Sequence, residues 1–171
     1  MPNIVSIRAM GDQDHAAVVA LNNANVPAVG PLDGESLVSL LAMASHAGVA
    51  DVDGHLAGCF IVLPPGQPYA SLNYRWFASR MVDFAYLDRI MVEPRWRRHG
   101  VGRACYQWLF DALRGTADLL CCEVNIRPLN QGSLDFHHAL GFNEVGQQDT
   151  DAGAKRVALL ARQVNRDVVG R

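Results

Sequence analysis

Two segments typical of β-strands, residues 82–92 and 119–126, stand on either side of a segment typical of an α-helix that runs from about Gly100 to Arg114. Strands that are joined through a helix pair in parallel, and this crossover is right-handed in almost all known cases. The middle of the chain therefore predicts one right-handed β-α-β unit, and the helix of that unit begins at a glycine.

The rest of the chain favours further strands and helices around this unit. Strands are predicted at 4–10, 48–54, 55–66, 142–147 and 155–163. Helices are predicted from a cap at Asp12 to about Asn25, at 35–47 and within 130–142. The pair Asp53-Gly54 predicts a tight hairpin turn, while the aromatic stretch at 67–80 shows no clear period. This order of elements predicts a mixed α+β or α/β sheet with helices on its faces.

Length and composition narrow the classes of protein that fit. The chain has 171 residues and no internal repeat, so we expect a single domain over residues 1–171. A formal net charge of −2 argues against a nucleic-acid partner. No apolar run approaches the roughly 18 residues of a membrane span. The first ten residues also lack the pattern of a signal peptide, so we expect no membrane partner.

The chain has four cysteines and six histidines, and neither set shows a metal-binding spacing. The cysteines lie in apolar segments and form no C-x-x-C pair. We therefore expect reduced thiols, a cytoplasmic location and no metal ion.

Positive charge is concentrated in the segment "EPRWRRHGVGRACYQWLF", residues 93–110, where the central helix begins. A helix start presents unpaired N–H groups and partial positive charge, which favours an anion. The chain has neither the Gly-Lys-[Ser/Thr] ending of a P-loop nor a complete G-x-G-x-x-G motif. It does satisfy Arg/Gln-x-x-Gly-x-Gly/Ala, from Arg97 to Gly102. This pattern predicts a loop that holds a polyanion.

This loop resembles the coenzyme A loop of the GNAT superfamily, the GCN-related N-acetyltransferases. The flanking residues extend the resemblance, since Met91-Val92-Glu93-Pro94 precedes the loop and Asn130, Ser133 and Gly141-Phe142 follow it. The resemblance covers roughly residues 84–147, and the first 80 residues match in element order only. It implies a mixed, mostly antiparallel twisted sheet of six or seven strands with helices on both faces. In that fold strands 4 and 5 are parallel and splayed.

The resemblance also implies acetyl-CoA or another acyl-CoA as cosubstrate. The pyrophosphate would be held by Arg97, Arg98, His99, Gly100, Val101, Gly102 and Arg103. The pantetheine arm would contact the backbone of Ile90, Met91 and Val92, together with Asn130. Ser133 is either a further contact or a plain helix residue.

The candidate catalytic residues are Glu123, Asp88 and His137. Deprotonation of an amine needs a base, and a carboxylate on one of these two strands commonly serves in the family. Glu123 is the first choice and Asp88 the second, although each could instead be a structural ion-pair partner of Arg89, Arg75 or Arg127. His137 stands where many relatives have a tyrosine that donates to the CoA sulfur. It is either an acid or a packing residue.

The acceptor side is less defined by the sequence. Five residues could line an acceptor pocket: Tyr74, Trp76, Phe77, Tyr86 and Asn125. Half or more of the aromatic residues in this set are expected to belong to the core instead. The function that the resemblance implies is direct transfer of an acetyl group to a primary amine of a small molecule, amino acid or peptide. The alternative is a CoA-binding regulatory or sensor module without turnover. Dimers are common in such families, so a homodimer is compatible with the sequence.

Overall fold

The computed structural model describes residues 4–164. Its strands are β1 (Val5–Ala9), β2 (His46–Val52), β3 (His55–Leu63), β4 (Phe84–Val92), β5 (Leu119–Arg127), β6 (Asn143–Thr150) and β7 (Lys155–Gln163). Its helices are α1 (His15–Ala24), α2 (Gly34–Met43), α3 (Leu72–Ala78), α4 (Val101–Leu113) and α5 (Gln131–Ala139). Short 3₁₀ turns occupy Asp12–Asp14, Pro94–Trp96 and Asp151–Gly153.

The seven strands form a mixed sheet in the order β1-β2-β3-β4-β5-β7-β6. The pairs β1–β2, β2–β3, β5–β7 and β6–β7 are antiparallel, and β4–β5 is parallel. The predicted fold class and the predicted parallel pair are therefore confirmed. The described chain falls into two compact units. One combines the residues up to Pro64 with Leu87–Ala112, and the other combines Pro65–Tyr86 with the residues from Leu113 onward.

The first unit is built around the β2–β3 hairpin. Asp53 and Gly54 have φ angles of 50° and 78°, as a type I′ turn requires, so the hairpin predicted from this pair is confirmed. Phe60 on β3 is fully buried and its ring lies where a side chain at Gly48 would have to be. Leu37 and Leu40 of α2 are also buried, because their spacing places both on one helix face.

The second unit contains the start of β4 and the strands β5, β7 and β6. The β4–β5 ladder consists of three residue pairs, from Phe84–Leu119 to Tyr86–Cys121. Strand β4 continues beyond this ladder for six more residues, to Val92. The central residue of β7, Leu159, pairs with β5 on one side and β6 on the other, and it is fully buried.

Two local predictions differ from the structure. Asp12 does not cap the first helix, because residues 12–14 form a 3₁₀ turn and α1 begins at His15. Asp14 occupies the N-cap position of α1 but makes no capping hydrogen bond with its side chain. Its carboxylate instead accepts a hydrogen bond from the Gly11 N–H at 2.8 Å and pairs with Arg8. In the aperiodic stretch at 67–80 the structure has the helix α3, whose N-terminus is capped by Ser71.

Candidate functional site

The basic loop connects the end of β4 to the start of α4. Its backbone turns through two residues with positive φ, Arg98 at 63° and Gly100 at 82°. Left-handed residues that alternate with right-handed or extended ones turn successive N–H groups towards one point, which makes an anion-binding concavity. The first helical hydrogen bond runs from the Ala104 N–H to the Gly100 carbonyl at 2.9 Å. The N–H groups of the preceding first-turn residues have no acceptor within the helix.

The side chains of this loop keep their charge close to solvent. Arg97, Arg98, His99 and Arg103 are all exposed, and so is the backbone of Gly100. The His99 ring donates from Nδ1 to the Arg97 carbonyl at 2.8 Å, so the ring braces the loop. The structure thus brings together all the residues predicted to bind pyrophosphate, and Val101 and Gly102 provide the first turn of α4.

One loop arginine contacts another part of the same unit. The Arg97 Nη2 donates to Oδ1 of Asn25, at the C-terminal end of α1, over 2.9 Å. By contrast, Arg95 forms an ion pair with Glu93 at 2.9 Å. Arg97 therefore has a neutral partner, whereas Arg95 has a charged one.

The end of β4 lies close to β3. A Cβ atom at Gly58 would stand 2.7 Å from the Met91 carbonyl, and the Glu93 N–H donates to the Ala57 carbonyl at 2.8 Å. Met91 is buried, while Ile90 and Val92 are half-buried. Glycine at position 58 therefore permits the close approach of β3 that fixes this segment of β4.

Asp88 forms an ion pair with its sequence neighbour Arg89. The Nε of Arg89 lies 2.7 Å from Oδ2 of Asp88, and the two side chains are 10% and 5% exposed. Arg89 also donates from Nη1 to Oδ1 of the fully buried Asn22, over 2.6 Å. This is the structural role that the sequence left open for Asp88, with Arg89 as the partner.

Glu123 accepts hydrogen bonds from a buried tyrosine of the same unit. The Tyr86 hydroxyl lies 2.9 Å and 2.8 Å from the two Glu123 carboxylate oxygens and donates to them. Tyr86 is fully buried and packs against Tyr74 and Phe77, with ring centroids 5.4 Å and 5.9 Å away. Glu123 is half-buried, so its carboxylate is oriented by the core while part of the residue stays accessible.

The remaining residues predicted to bind the acceptor differ in burial. Tyr74 and Phe77 of α3 are buried core residues, as expected for half or more of the aromatic set. Trp76 is half-buried between β6 and Arg80, with the Arg80 guanidinium carbon 4.2 Å from the indole centroid. A Cβ at Gly146 on β6 would stand 2.5 Å from the Trp76 ring. Asn125 is half-buried near the end of β5.

His137 is held by the helix that carries it. Its Nδ1 lies 2.7 Å from the Ser133 carbonyl, which can only accept, so the hydrogen of the neutral ring is on Nδ1. Burial lowers the pKa of His137 below its ordinary value. Phe142 packs edge-on against the ring at 5.4 Å. These contacts favour the packing role over the acid role, because Nε2 carries a proton only in the disfavoured cation.

The other two residues of this segment form the start of α5. Asn130 caps the helix, because its Oδ1 accepts a hydrogen bond from the Ser133 N–H at 3.2 Å. The Ser133 hydroxyl lies 3.3 Å from Nδ1 of His137. Both residues therefore have roles inside the protein, and their predicted contacts with the cofactor stay predictions.

Sequence reasoning did not single out Asn22 and Asn25. The run "NNAN" at residues 22–25 is a signal that could have found them, since asparagine is frequent where helices end. Their arginine partners are 67 and 72 residues away in the chain, so no local pattern indicates these contacts.

Within residues 4–164 the structure shows no cluster of three or more metal-ligating side chains. None of the helices in that range is both long enough and apolar enough to span a bilayer.

Comparison with known proteins identifies a family and a relative that the sequence resembles. Residues 20–142 match the model of the Acetyltransferase (GNAT) family. A 66-residue segment is 38% identical to the [ribosomal protein bS18]-alanine N-acetyltransferase of Escherichia coli K12, covering 37% of this chain and 43% of that relative. The chain thus matches less than half the length of this relative.

Two solved structures have a similar fold over nearly the whole length of this chain. The ribosomal-protein-S18-alanine N-acetyltransferase from Escherichia coli superposes with a TM-score of 0.73 at 21% identity, covering 98% of this chain and 99% of the other. The yncA protein from Salmonella typhimurium, solved with its cofactor acetyl-CoA, gives a TM-score of 0.70 at 18% identity, covering 98% of each chain. These likenesses show a shared fold. The family match covers more than half of the chain, and with it the chain is shown to belong to the Acetyltransferase (GNAT) family.

Proposed function

We propose that this protein transfers the acetyl group of acetyl-CoA directly to a primary amine. The observation that carries the proposal is the start of α4, where Arg98 and Gly100 have positive φ and exposed arginines flank the first helical turn in sequence. Such a site suits a pyrophosphate, because backbone N–H groups and guanidinium groups both donate to phosphate oxygens. Family membership supports acetyl-CoA as the source of that pyrophosphate.

In this reaction the amine nitrogen attacks the thioester carbonyl carbon and the C–S bond breaks. The nitrogen loses one proton, and the sulfur leaves as a thiolate that takes up a proton. The amine must be neutral when it attacks, so a base is needed near neutral pH. Backbone N–H groups of the β4 segment Ile90–Val92 are the proposed donors to the tetrahedral oxyanion.

Glu123 is the proposed base. Its carboxylate is oriented by the Tyr86 hydroxyl, which is fixed in turn by aromatic packing, so the base has one defined position. Asp88 is the weaker candidate, because a base that is already ion-paired with Arg89 would have to give up that contact to accept a proton. We assign His137 to packing.

The α-amine of a peptide is the acceptor that we propose to test first. The relative that is 38% identical over 66 residues is named for acetylation of an alanine of ribosomal protein bS18. The matched segment is 37% of this chain, so the support is for the class of acceptor and not for that particular protein.

A CoA-binding module without turnover is the second candidate. It is favoured by one observation: Asp88, Glu123 and His137 each have a protein partner, namely Arg89, Tyr86 and Ser133. A carboxylate that serves only to hold the fold would show such partners.

Turnover separates the two candidates. Acetyl-CoA is incubated with the protein and with peptides that have a free N-terminal alanine, and released CoA thiol and peptide mass are both followed. Matched peptides with a blocked N-terminus are the control, and a panel of small amines and free amino acids runs in parallel. The proposal predicts acetylation of free amines only. Tight CoA binding with no acetylated product from any amine would support the binding module instead.

A further inference from the structure

The C-terminal end of α1 holds a loop arginine through one asparagine. Asn25 donates from Nδ2 to the Leu21 carbonyl over 2.7 Å, which leaves its Oδ1 as the group that accepts from Arg97. The orientation of the amide is therefore set by the helix, and its oxygen points to the guanidinium. Asn25 is half-buried, whereas Arg97 is exposed.

This contact uses a small part of the donor capacity of Arg97. A guanidinium carries five N–H donors in a fixed fork, and within residues 4–164 the Arg97 side chain has the single hydrogen bond to Asn25. The other donors remain available for phosphate oxygens. One anchored N–H restricts the rotamers of a long side chain, so less freedom is lost when an anion binds.

The charge of the partner matters as much as its position. A carboxylate beside Arg97 would neutralise the guanidinium, as Glu93 does for Arg95 and Asp88 does for Arg89. The amide of Asn25 orients Arg97 and leaves its full charge for a ligand.

We propose that Asn25 is a positioning residue, which holds the Arg97 guanidinium ready for the pyrophosphate of the coenzyme. The inference rests on the proposed function in that it takes CoA as the ligand of the loop. It adds a determinant of coenzyme affinity that lies 72 residues away from that loop in sequence.

The test compares Asn25→Ala with Asn25→Asp, and each with the same change in an Arg97→Ala background. Calorimetry measures the affinity for CoA and for pantetheine, which contains no phosphate. We expect Asn25→Ala to weaken CoA binding by about fivefold, because pre-organisation of Arg97 is lost. Asn25→Asp should weaken it by about tenfold or more, and added salt should reduce that loss because the new ion pair is screened.

Three features of the data distinguish this role from a structural one. Pantetheine affinity should not change in either variant, and neither change should have a further effect once Arg97 is alanine. Equal losses for CoA and pantetheine, or equal losses with and without Arg97, would overturn the inference, and so would wild-type CoA affinity in a folded Asn25→Asp protein. Thermal melting shows whether each variant is folded.

Failure of the proposed function gives a different result. A wild-type protein that binds CoA but acetylates no amine would contradict the transferase proposal, and the Asn25 effect would still be measured. A wild-type protein that binds no CoA would overturn both.

Discussion

Gly100 and Gly54 offer a matched pair of substitutions, because the two glycines have nearly the same positive φ angle in different places. Their φ angles are 82° and 78°, and a Cβ added to either meets no atom within 4 Å. Gly54 lies in the β2–β3 hairpin turn, and Gly100 lies immediately before α4. The changes Gly100→Ala and Gly54→Ala therefore differ in location and not in local strain.

The cost in stability follows from the backbone. An L-residue in the left-handed region costs about 1–2 kcal/mol. Alanine also reduces the entropy of the unfolded chain relative to glycine, which offsets about 0.4–1 kcal/mol. The net loss in the free energy of unfolding is then about 1 kcal/mol for each variant. In a protein of this size, that loss lowers the Tm by about 2–4 °C.

The effect on coenzyme binding separates the two variants. In the proposed complex a phosphate approaches the backbone N–H groups beside Gly100. The methyl group of Gly100→Ala would obstruct that approach, so we expect CoA affinity to fall by about tenfold or more. Gly54→Ala should bind CoA as the wild type does. Differential scanning calorimetry measures the Tm shifts, and titration calorimetry with CoA measures the affinities.

Two results would refute this reasoning. Unchanged CoA affinity in Gly100→Ala, at the expected Tm, would mean that the loop backbone does not approach the phosphates. An equal loss of affinity in Gly54→Ala would mean that reduced stability, and not the position of the methyl group, weakens binding.

Other predictions concern the carboxylate, the thiols and the buried histidine. Glu123→Gln should lower kcat by about 10²-fold or more with CoA affinity nearly unchanged, and full turnover across the pH range of the assay would exclude Glu123 as the base. Burial raises the pKa of three thiols to about 12, so a thiol reagent at mildly alkaline pH should label these only after unfolding: Cys59, Cys105 and Cys121. Burial also lowers the pKa of His137, so the free energy of unfolding should be highest above pH 6.5 and fall as the pH drops from 6.5 towards the folded-state pKa. In His137→Gln, the free energy of unfolding measured by urea titration should depend less on pH across that window. The same pH dependence in the variant and the wild type would contradict the burial argument.

Local signals were sufficient for most of the fold. The Asp53-Gly54 pair determines a turn by its own φ preferences, and the strand–helix–strand order around Gly100 determines a parallel pair. The helix α3 could not be predicted in the same way. It has seven residues, too few to be stable alone, and two of them, Tyr74 and Phe77, are buried in its unit. Tertiary packing therefore decides its conformation.

In the candidate site, too, the residues of a local motif could be predicted, whereas contacts that depend on the fold could not. The loop residues form one contiguous segment, so a motif could find them. The sequence offered Arg89 only as one of three possible partners of Asp88, because strand alternation places these two residues on opposite faces and yet the flexible Arg89 side chain reaches back to its neighbour. The Tyr86–Glu123 contact joins residues 37 positions apart, and it depends on the register of the three-pair β4–β5 ladder.

The contact of Trp76 with Gly146 has an evolutionary consequence. The indole ring occupies the volume that any side chain at position 146 would need, and Gly146 lies where the β6–β7 register shifts. A larger residue at 146 can be accepted only where residue 76 becomes smaller. The two positions should therefore covary among homologous sequences, and a library that randomises one of them should randomise the other as well.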